Sequence, residues 1–271
     1  MGALLEPYVI TETDAKGGKV TTNAGKARTD SADPTFGVAK ISPYELNVTN
    51  YVDRNINRLS PANYYAKIYG MAMRAMRREL AKLIVNGDGQ GTPDMYGMKN
   101  AKNQAGSEIF ASVNLSAINE DTLDDLFYAY GGDEEIAGNA RLFLNKADLK
   151  AMGKIRGTAD KNRVFKVHPD AGNPNTGMIE DGGNFVPYTI VSALTALSGS
   201  TAGASPIQTM LYGSPMNYIL GLFGPYSIRV DESVKAVERM NTILGDVFVG
   251  GNLATHHGMV VATLPKTGGG G

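Results

Sequence analysis

The alternation of apolar and polar positions predicts one long helix in the first half of the chain. After Ser60-Pro61, apolar residues recur at helical spacing as far as residue 84, and basic residues lie largely on the opposite side. Serine caps free N–H groups at a helix start, and proline fits the first helical turn. We therefore predict a helix over residues 61–85, with basic residues crowding its last turns, where they suit the helix dipole.

The rest of the pattern predicts shorter elements and an α+β fold. An acidic start followed by apolar residues on one side predicts a helix over residues 119–130. A buried strand at 141–145 leads into a short helix from residue 146 to about 152. Further strands are predicted at 185–191, 208–212, 217–222, 226–231, 240–249 and 252–264.

Glycine and proline mark the expected breaks between these elements. Residues 156–184 are rich in Gly, Asn, Asp and Pro and predict a long loop region. Pro187 places its strand at a sheet edge or a bulge, because proline lacks a backbone donor. Gly250-Gly251 is expected to join the last two strands.

Residues 11–35 interrupt the pattern, because Val20 is the only large apolar residue among them. Such a segment cannot bury enough surface to offset the entropy of ordering it, which is typical of a disordered tail. Apolar residues nevertheless flank it, from Leu4 to Ile10 before and from Phe36 to Val38 after. This flanking favours a projecting hairpin anchored in sheet at both ends. Charges of both signs are available there for interface contacts: Asp14, Lys16, Lys19, Lys26, Arg28, Asp30 and Asp33.

Composition excludes several kinds of protein. The 271 residues include no Cys, which excludes a disulfide framework, a thiolate zinc site, an iron–sulfur cluster and a cysteine nucleophile. The sequence contains no run of about 18 apolar residues, so it predicts no membrane-spanning helix. The N-terminus does not resemble a signal peptide. With 26 Lys and Arg against 27 Asp and Glu, the net charge of −1 argues against a dedicated nucleic-acid-binding protein. We expect a soluble cytosolic protein of one large or two modest domains.

A glycine-rich loop, residues 86–94, follows the long helix. A dinucleotide-binding loop needs a preceding strand, a P-loop needs Gly-Lys-Ser/Thr, and a calcium loop needs Glu at its twelfth position, where Gly97 stands. A phosphate- or calcium-binding α+β enzyme using this loop is therefore the weakest alternative. We favour a structural turn, since glycine permits left-handed backbone at a helix end. Its residues are Asn86, Gly87, Asp88 and Gly89.

Catalytic patterns are scarce. The three histidines are His168, His256 and His257, and an adjacent pair in a strand would point to opposite faces and share no metal. No HExxH, GxSxG or SxxK motif is present. We predict no catalytic residue, no cofactor and no metal site, and hence a protein that is not an enzyme.

The order of these features resembles the tailed-phage major capsid proteins of the Hong Kong 97-type fold over most of the chain. The helix that closes in Leu83-Ile-Val-Asn-Gly-Asp-Gly89 is the most specific part of the resemblance. The other parts are the polar arm followed by Asp33-Pro-Thr-Phe36, the segment through Val52-Asp-Arg54, Ser60-Pro61, Tyr96-Gly97-Met98, Tyr226 to Glu232, Asn241-Thr-Ile-Leu244 and the final apolar strand.

The resemblance implies a division of the chain. Residues 1–7 would be a residual N-terminal arm and 8–42 an extended loop that lies over a neighbouring subunit. Residues 43–107 and 241–265 would form a peripheral domain with the spine helix at 61–85, residues 108–240 an axial domain, and 266–271 a flexible tail. Charged residues expected at assembly interfaces are Lys16, Lys19, Lys26, Arg28, Asp30, Asp33, Arg54, Arg74, Arg77 and Arg78.

The resemblance also implies partners. The chain would assemble with itself into hexamers, pentamers and an icosahedral shell enclosing double-stranded DNA, which it would contact without sequence specificity. Scaffolding, portal and possibly decoration proteins would be further partners, and assembly would take place in the host bacterial cytoplasm. An encapsulin-like nanocompartment, which shares the fold and encloses protein cargo, is the alternative.

Three departures from the family pattern shape further expectations. The chain starts almost at the extended loop, so we expect that a scaffolding segment has been cut away, that scaffolding is a separate protein, or that this sequence is a trimmed form. Residues 243–249 contain no Glu of the kind that assists a lysine–asparagine crosslink in some members, so we predict no autocatalytic crosslink. The end, Leu264-Pro-Lys-Thr-Gly268 and three further glycines, fits the sortase pattern LPxTG, and we favour a chance tail over a ligation tag.

Overall fold

The structure, a computed structural model, describes residues 2–13, 32–55, 61–89, 95–132, 136–158 and 161–266, with backbone only for 61–65. Its helices are α1 (Pro61–Asn86), α2 (Thr122–Tyr128) and α3 (Lys146–Met152). Its strands are β1 (Leu4–Thr11), β2 (Thr35–Ile41), β3 (Tyr44–Asp53), β4 (Ala111–Asn114), β5 (Arg141–Leu144), β6 (Phe165–Asp170), β7 (Asn173–Asp181), β8 (Asn184–Ile190), β9 (Ile207–Gly213), β10 (Tyr218–Leu222), β11 (Ser227–Asp231), β12 (Met240–Leu253) and β13 (Met259–Leu264). The predicted α+β class is confirmed.

Helix α1 confirms the prediction from apolar spacing. Ala72, Met76 and Leu80 form its buried side and pack towards β3 and β12. The last turn of α1 carries no basic residue, which corrects the expected crowding at the helix end. Lys82 lies one turn earlier and donates to Glu79 at 2.8 Å, so this charge is paired within the helix.

Strand β12 organises the sheet beneath α1. One edge of β12 pairs antiparallel with the whole of β3, from Met240 opposite Asp53 to Val249 opposite Tyr44. The other edge pairs with β11 and then with β10. We call these four strands together with α1 the helix-backed sheet.

A second sheet has the order β4-β13-β9-β5-β8-β7-β6 and is called the seven-stranded sheet. In β5, Leu142 and Leu144 point to the side of the sheet where Leu126 of α2 and Met152 of α3 close the largest buried cluster. Phe143 points the other way, into a second cluster that residues 95–110 help to cover. The sheet therefore has a core on each face of its central strands.

The polar arm is anchored as its flanking residues predict. Strands β1 and β2 pair antiparallel from Leu4 opposite Ile41 to Thr11 opposite Thr35. Residues 14–31 between them lie outside the described residues. The strands that flank the polar arm thus form a two-stranded sheet.

The loop predicted over residues 156–184 is wrong. Strands β6 and β7 occupy most of it and form a hairpin, with Val167 opposite Ile179. Phe165 and Ile179 are fully buried, and Val164, Val167 and Met178 are close to them in the sequence, but the Gly, Asn, Asp and Pro residues between the two strands dominate the composition of the segment. Pairing across the sheet overrides the weak local preference.

Two expectations about strand breaks also need correction. The strand containing Pro187 is interior to the seven-stranded sheet, between β5 and β7. The proline is tolerated because pairing with β5 begins only at Tyr188. Gly250 and Gly251 do not join two strands but lie inside β12. A Cβ on Gly250 would lie 2.3 Å from the backbone oxygen of Ser42. Glycine is therefore needed here because β12 and the segment at Ser42 of the same chain approach each other closely.

The sheets do not follow the predicted domain division at residue 240. Strands β10 and β11 precede that residue, yet they pair with β12 in the helix-backed sheet. Strand β13 follows it, yet it lies between β4 and β9 in the seven-stranded sheet. The chain crosses between sheets at residues 254–258, a connection that local sequence patterns do not reveal.

Candidate assembly surfaces

The turn after α1 is built on close backbone contacts. The amide of Gly87 donates to the carbonyl of Leu83 at 2.8 Å, and the Gly87 carbonyl accepts from the amide of Gly97 at 2.8 Å. Gly89 has a φ of +66°, the left-handed conformation expected of glycine after a helix. A Cβ on Gly87 would lie 2.1 Å from the carbonyl oxygen of Met95. The turn therefore docks the following segment directly against the helix end.

Side-chain amides secure the same turn. Asn86 Nδ2 donates to the carbonyl of Ala193 at 2.7 Å, which ties the helix end to the segment after β8. Asn100 Nδ2 lies 3.1 Å from the carbonyl oxygens of both Asn86 and Gly87. Tyr218 donates its hydroxyl to the carbonyl of Tyr96 at 2.6 Å, and burial raises the pKa of Tyr218. These contacts occupy the side-chain amide groups of Asn86 and Asn100 within the subunit.

The described part of the loop shows no arrangement of ligands for an ion. Asp88 forms an isolated antiparallel bridge with Tyr96. Among the described residues, no group of three or more His, Cys, Asp or Glu could hold a metal. Residues 90–94, which the phosphate or calcium interpretation requires, lie outside the described residues.

The adjacent histidines do not lie in a strand, so the prediction that strand geometry points their rings to opposite faces is wrong. His256 and His257 form part of the turn before β13, and His257 has a φ of +49°. Their rings stack with centroids 3.8 Å apart, and the ring of Tyr8 from the arm base lies 6.3 Å from His256. The pair thus packs where the arm meets the seven-stranded sheet.

Three of the predicted interface arginines lie together on one groove. The groove runs between α1 and β3, has a volume of about 810 Å³, and is called the arginine groove. Its floor is largely apolar and includes Val48, Val52, Ile68, Met71 and Ala75. Arg74, Arg77 and Arg78 are exposed along it, and none of the three forms an ion pair within the described parts of the chain.

Arg54 has a different environment at the end of β3. Its Nε donates to Asn241 Oδ1 at 2.8 Å, and its Nη2 donates to the carbonyl oxygen of Glu232. The Glu232 carboxylate lies 4.0 Å from the same guanidinium. Arg54 therefore holds the connection between β11 and β12 against the end of the helix-backed sheet.

That connection, residues 232–239, is called the tip loop, and sequence reasoning missed it. Val234 is 58% exposed and Val237 is 95% exposed. Lys235 Nζ donates to Glu238 at 2.9 Å and lies 5.7 Å from the ring centroid of Tyr51. Two valines within an otherwise polar run were the available signal, but their exposure follows only from the loop conformation.

The remaining predicted interface residues belong to the arm. Asp33 is exposed just before β2. Lys16, Lys19, Lys26, Arg28 and Asp30 lie outside the described residues. The structure thus places Arg74, Arg77 and Arg78 along one groove, while Arg54 and Asp33 are not among the residues that line it. Among the described helices, none combines the length and apolar character needed to cross a membrane.

Comparison with solved structures shows that capsid and encapsulin subunits share this fold. A structure of the capsid of an empty GTA particle superposes with a TM-score of 0.72 at 14% identity, covering 97% of this chain and 84% of that chain. A structure from Mycobacterium phage Bobi gives 0.61 at 12% identity, covering 99% and 86%. The holo-SrpI encapsulin complex from Synechococcus elongatus PCC 7942 gives 0.57 at 14% identity, covering 97% and 84%. At these identities the likeness establishes the fold, and the comparison with curated proteins gives no significant match.

The fold, with its long helix, its two sheets and the paired strands that flank the polar arm, is that of the Hong Kong 97-type capsids. The model of the phage capsid family matches residues 5–264. The chain therefore belongs to the phage capsid family, as the order of its motifs indicates.

Proposed function

We propose that this chain is the major capsid protein of a tailed bacteriophage, forming hexamers and pentamers that close into an icosahedral shell around double-stranded DNA. The family match over residues 5–264 carries this proposal. The polar arm supports it, because residues 11–35 are too poor in apolar side chains to fold as part of a core of their own. Contacts with neighbouring copies would give such a segment the partners that its own chain does not supply.

The two sheets divide the proposed roles. The helix-backed sheet, with α1 as spine, acts as the peripheral domain, and the seven-stranded sheet acts as the axial domain near the fivefold and sixfold axes. The pairing of β10, β11 and β13 supports this division better than a boundary at residue 240. The hairpin from residue 8 to 42 lies over a neighbouring subunit and presents its charged residues there.

The proposed partners follow from the same role. Subunits assemble in the host bacterial cytoplasm with scaffolding and portal proteins, and decoration proteins bind the outer surface. Packaged DNA is contacted without sequence specificity, which suits a wall whose net charge is −1. We propose no catalytic or cofactor role.

Electron microscopy of the expressed protein, with mass photometry of the same sample, tests this function. Closed shells or rings of five and six subunits support it. A monomer of 28.8 kDa that forms no larger species at any concentration or salt contradicts it. Boiled shells should run as a single band in SDS gels, because we predict no autocatalytic crosslink; a covalent ladder would contradict that prediction.

The contents of the shell separate the proposal from an encapsulin-like compartment. The encapsulin structure shares the fold but superposes less closely than the GTA capsid, at 0.57 against 0.72. Particles purified from infected cells should contain nuclease-protected DNA. Particles that enclose an enzyme cargo and no DNA would favour the alternative.

A further inference from the structure

The short stretch from the start of α3 to the start of β6 has a high density of positive charge. Residues 146–166 contain seven Lys and Arg against two Asp, although the whole chain has a net charge of −1. Six exposed cations of this stretch are called the basic surface: Lys146, Lys150, Lys154, Arg156, Lys161 and Arg163. Lys166 is left out because it pairs with Glu180 at 2.7 Å, and residues 159 and 160 lie outside the described residues.

The subunit itself does not neutralise the basic surface. Asp148 of the same stretch is fully buried, and its carboxylate accepts from the amides of Leu197 and Ser198 at 2.9 and 2.8 Å. Arg156 and Lys161 donate to backbone carbonyls, which carry no net charge. None of the six cations forms an ion pair with a residue that the structure describes. Their charges therefore remain for an external partner.

Local structure sets like charges of this surface next to one another. Lys146 and Lys150 lie one turn apart on α3, and this spacing places them on the same face of the helix. Arg156 and Arg163 face each other across an isolated antiparallel bridge, where Cβ atoms of partners are about 5 Å apart. Like charges at either spacing are destabilising. A partner with dense negative charge relieves both repulsions when it binds.

Apolar neighbours hold the cations on a fixed support. Ile155 and Val164 pack against the largest buried cluster, as does Leu149 of α3. The amide of Val164 donates to the carbonyl of Ile155 at 3.3 Å, which closes the hairpin beside the bridge. Arg156 and Arg163 are the next residues outward and both are exposed. A surface supported in this way loses little conformational freedom when it binds a partner.

The kind of partner follows from the absence of apolar anchors. None of the exposed large hydrophobic residues in the described parts of the chain lies between residues 146 and 166. Protein interfaces are anchored by apolar and aromatic side chains, which the arginine groove offers in its exposed Met71. Contact with a nucleic-acid backbone needs only cations, because duplex DNA carries one negative charge per about 1.7 Å of its axis. Charge without apolar anchors therefore favours DNA over a protein partner.

We infer that the basic surface is where the phosphate backbone of double-stranded DNA contacts this subunit, without sequence specificity. This inference deepens the proposed function and rests on it, since the proposed function supplies the DNA. It assigns the contact to the stretch from α3 to β6 and not to α1, which is also basic but whose arginines border an apolar groove.

Binding of a short fluorescent DNA duplex to unassembled subunits, followed by anisotropy over a range of salt concentrations, tests the assignment. The triple variant Lys146→Gln/Lys150→Gln/Lys154→Gln removes three charges. Each phosphate contact contributes about 0.9 to the slope of log affinity against log salt, so we expect the slope to fall by about 2 to 3. Affinity at low salt should fall by at least about tenfold. Unchanged affinity and slope would overturn the inference.

A matched variant separates the position of the charge from its amount. Arg74→Gln/Arg77→Gln/Arg78→Gln removes the same three charges from α1 and should bind the duplex as wild type does. Equal losses in the two triple variants would show that only net charge matters, which overturns the inference. Lys→Arg replacements at the three lysine positions keep the charge and should keep the binding. Duplexes of unrelated sequence should bind equally, because phosphate contacts carry no sequence information.

Shell assembly distinguishes this inference from the proposed function. The lysine variant should show the circular dichroism of wild type and form normal shells, because the three side chains are exposed. A folded lysine variant that forms no shells would show that the basic surface contacts another copy or a scaffolding protein, which overturns the inference. Wild-type subunits that form no shells contradict the proposed function, and the duplex measurement on unassembled subunits still decides the inference.

Discussion

The two sheets of this protein differ in how far their own chain covers them. The seven-stranded sheet buries Leu142, Leu144 and Tyr188 in a large cluster closed by α2 and α3. The helix-backed sheet has a smaller cluster under α1 and leaves apolar side chains such as Leu222 and Val237 exposed at 59% and 95%. Its α1 also carries Arg74, Arg77 and Arg78, which form no ion pair with the residues that the structure describes. The comparison indicates that the seven-stranded sheet has the larger core of its own, although it too leaves apolar side chains exposed, such as Phe185 at 58%.

The largest expected effect tests the closed sheet. Leu142→Ala should lower the free energy of unfolding by about 3 kcal/mol, because it leaves a cavity in a fully buried strand. Leu222→Ala, the same change at an exposed position, should cost less than about 0.5 kcal/mol. Urea unfolding of unassembled subunits at equal concentration measures both. Equal losses would break the comparison between the two sheets.

The next effect concerns the turn at the end of α1. Gly87→Ala should destabilise by about 2 kcal/mol, since its Cβ would meet the backbone oxygens of Met95 at 2.1 Å and Leu83 at 2.8 Å. Gly70→Ala in the middle of the same helix has its nearest contact at 3.6 Å, the tip of Arg74. It should stabilise by about 0.5 kcal/mol through helix propensity. Thermal unfolding gives both values, and a neutral Gly87→Ala would show that the segment after α1 docks loosely.

A smaller loss of stability is expected where β12 contacts the end of β2 and the segment after α1. Asn252 of β12 is fully buried and donates Nδ2 to the carbonyls of Lys40 at 3.1 Å and Lys102 at 2.8 Å. Asn252→Ala should cost about 1.5 kcal/mol, because it leaves those carbonyls without their donor. The exposed Asn47→Ala on β3 is the matched control and should be nearly neutral. A loss no greater than that of the control would mean that the arm base is held by other contacts.

The smallest effect depends on pH. Hydrogen bonds from Lys166 and His168 hold the pKa of Glu180 below the ordinary glutamate value of 4.5. A depressed pKa means that the ionised form stabilises the fold above pH 4.5 and that this contribution is lost as pH falls below it. Wild type should therefore exceed Glu180→Gln slightly in stability near neutrality, with the gap closing in acid. Glu45→Gln is the exposed control. A gap that widens in acid would contradict the assigned direction.

How much the sequence predicts depends on the range of the interactions involved. Helix α1 was predictable within one residue because its apolar period and proline start are local. The hairpin of β6 and β7 was not, because Phe165 and Ile179 gain their burial from partners elsewhere in the sheet. For the surfaces, helical spacing placed Arg74, Arg77 and Arg78 on the polar side of α1, whereas Val237 was missed. Nothing local distinguishes an exposed valine from a buried one.

By itself the sequence determined the α+β class, the long helix, the polar arm with its apolar flanks, and the order of motifs that marks the phage capsid family. These depend on neighbouring residues, whose spacing is fixed by the chain. Only the tertiary structure decided that β13 lies between β4 and β9, that Gly250 serves a close approach within β12, and that the tip loop leaves Val237 uncovered. Those outcomes depend on which distant segments pair, and the free energy of pairing belongs to the assembled sheets and not to any one segment.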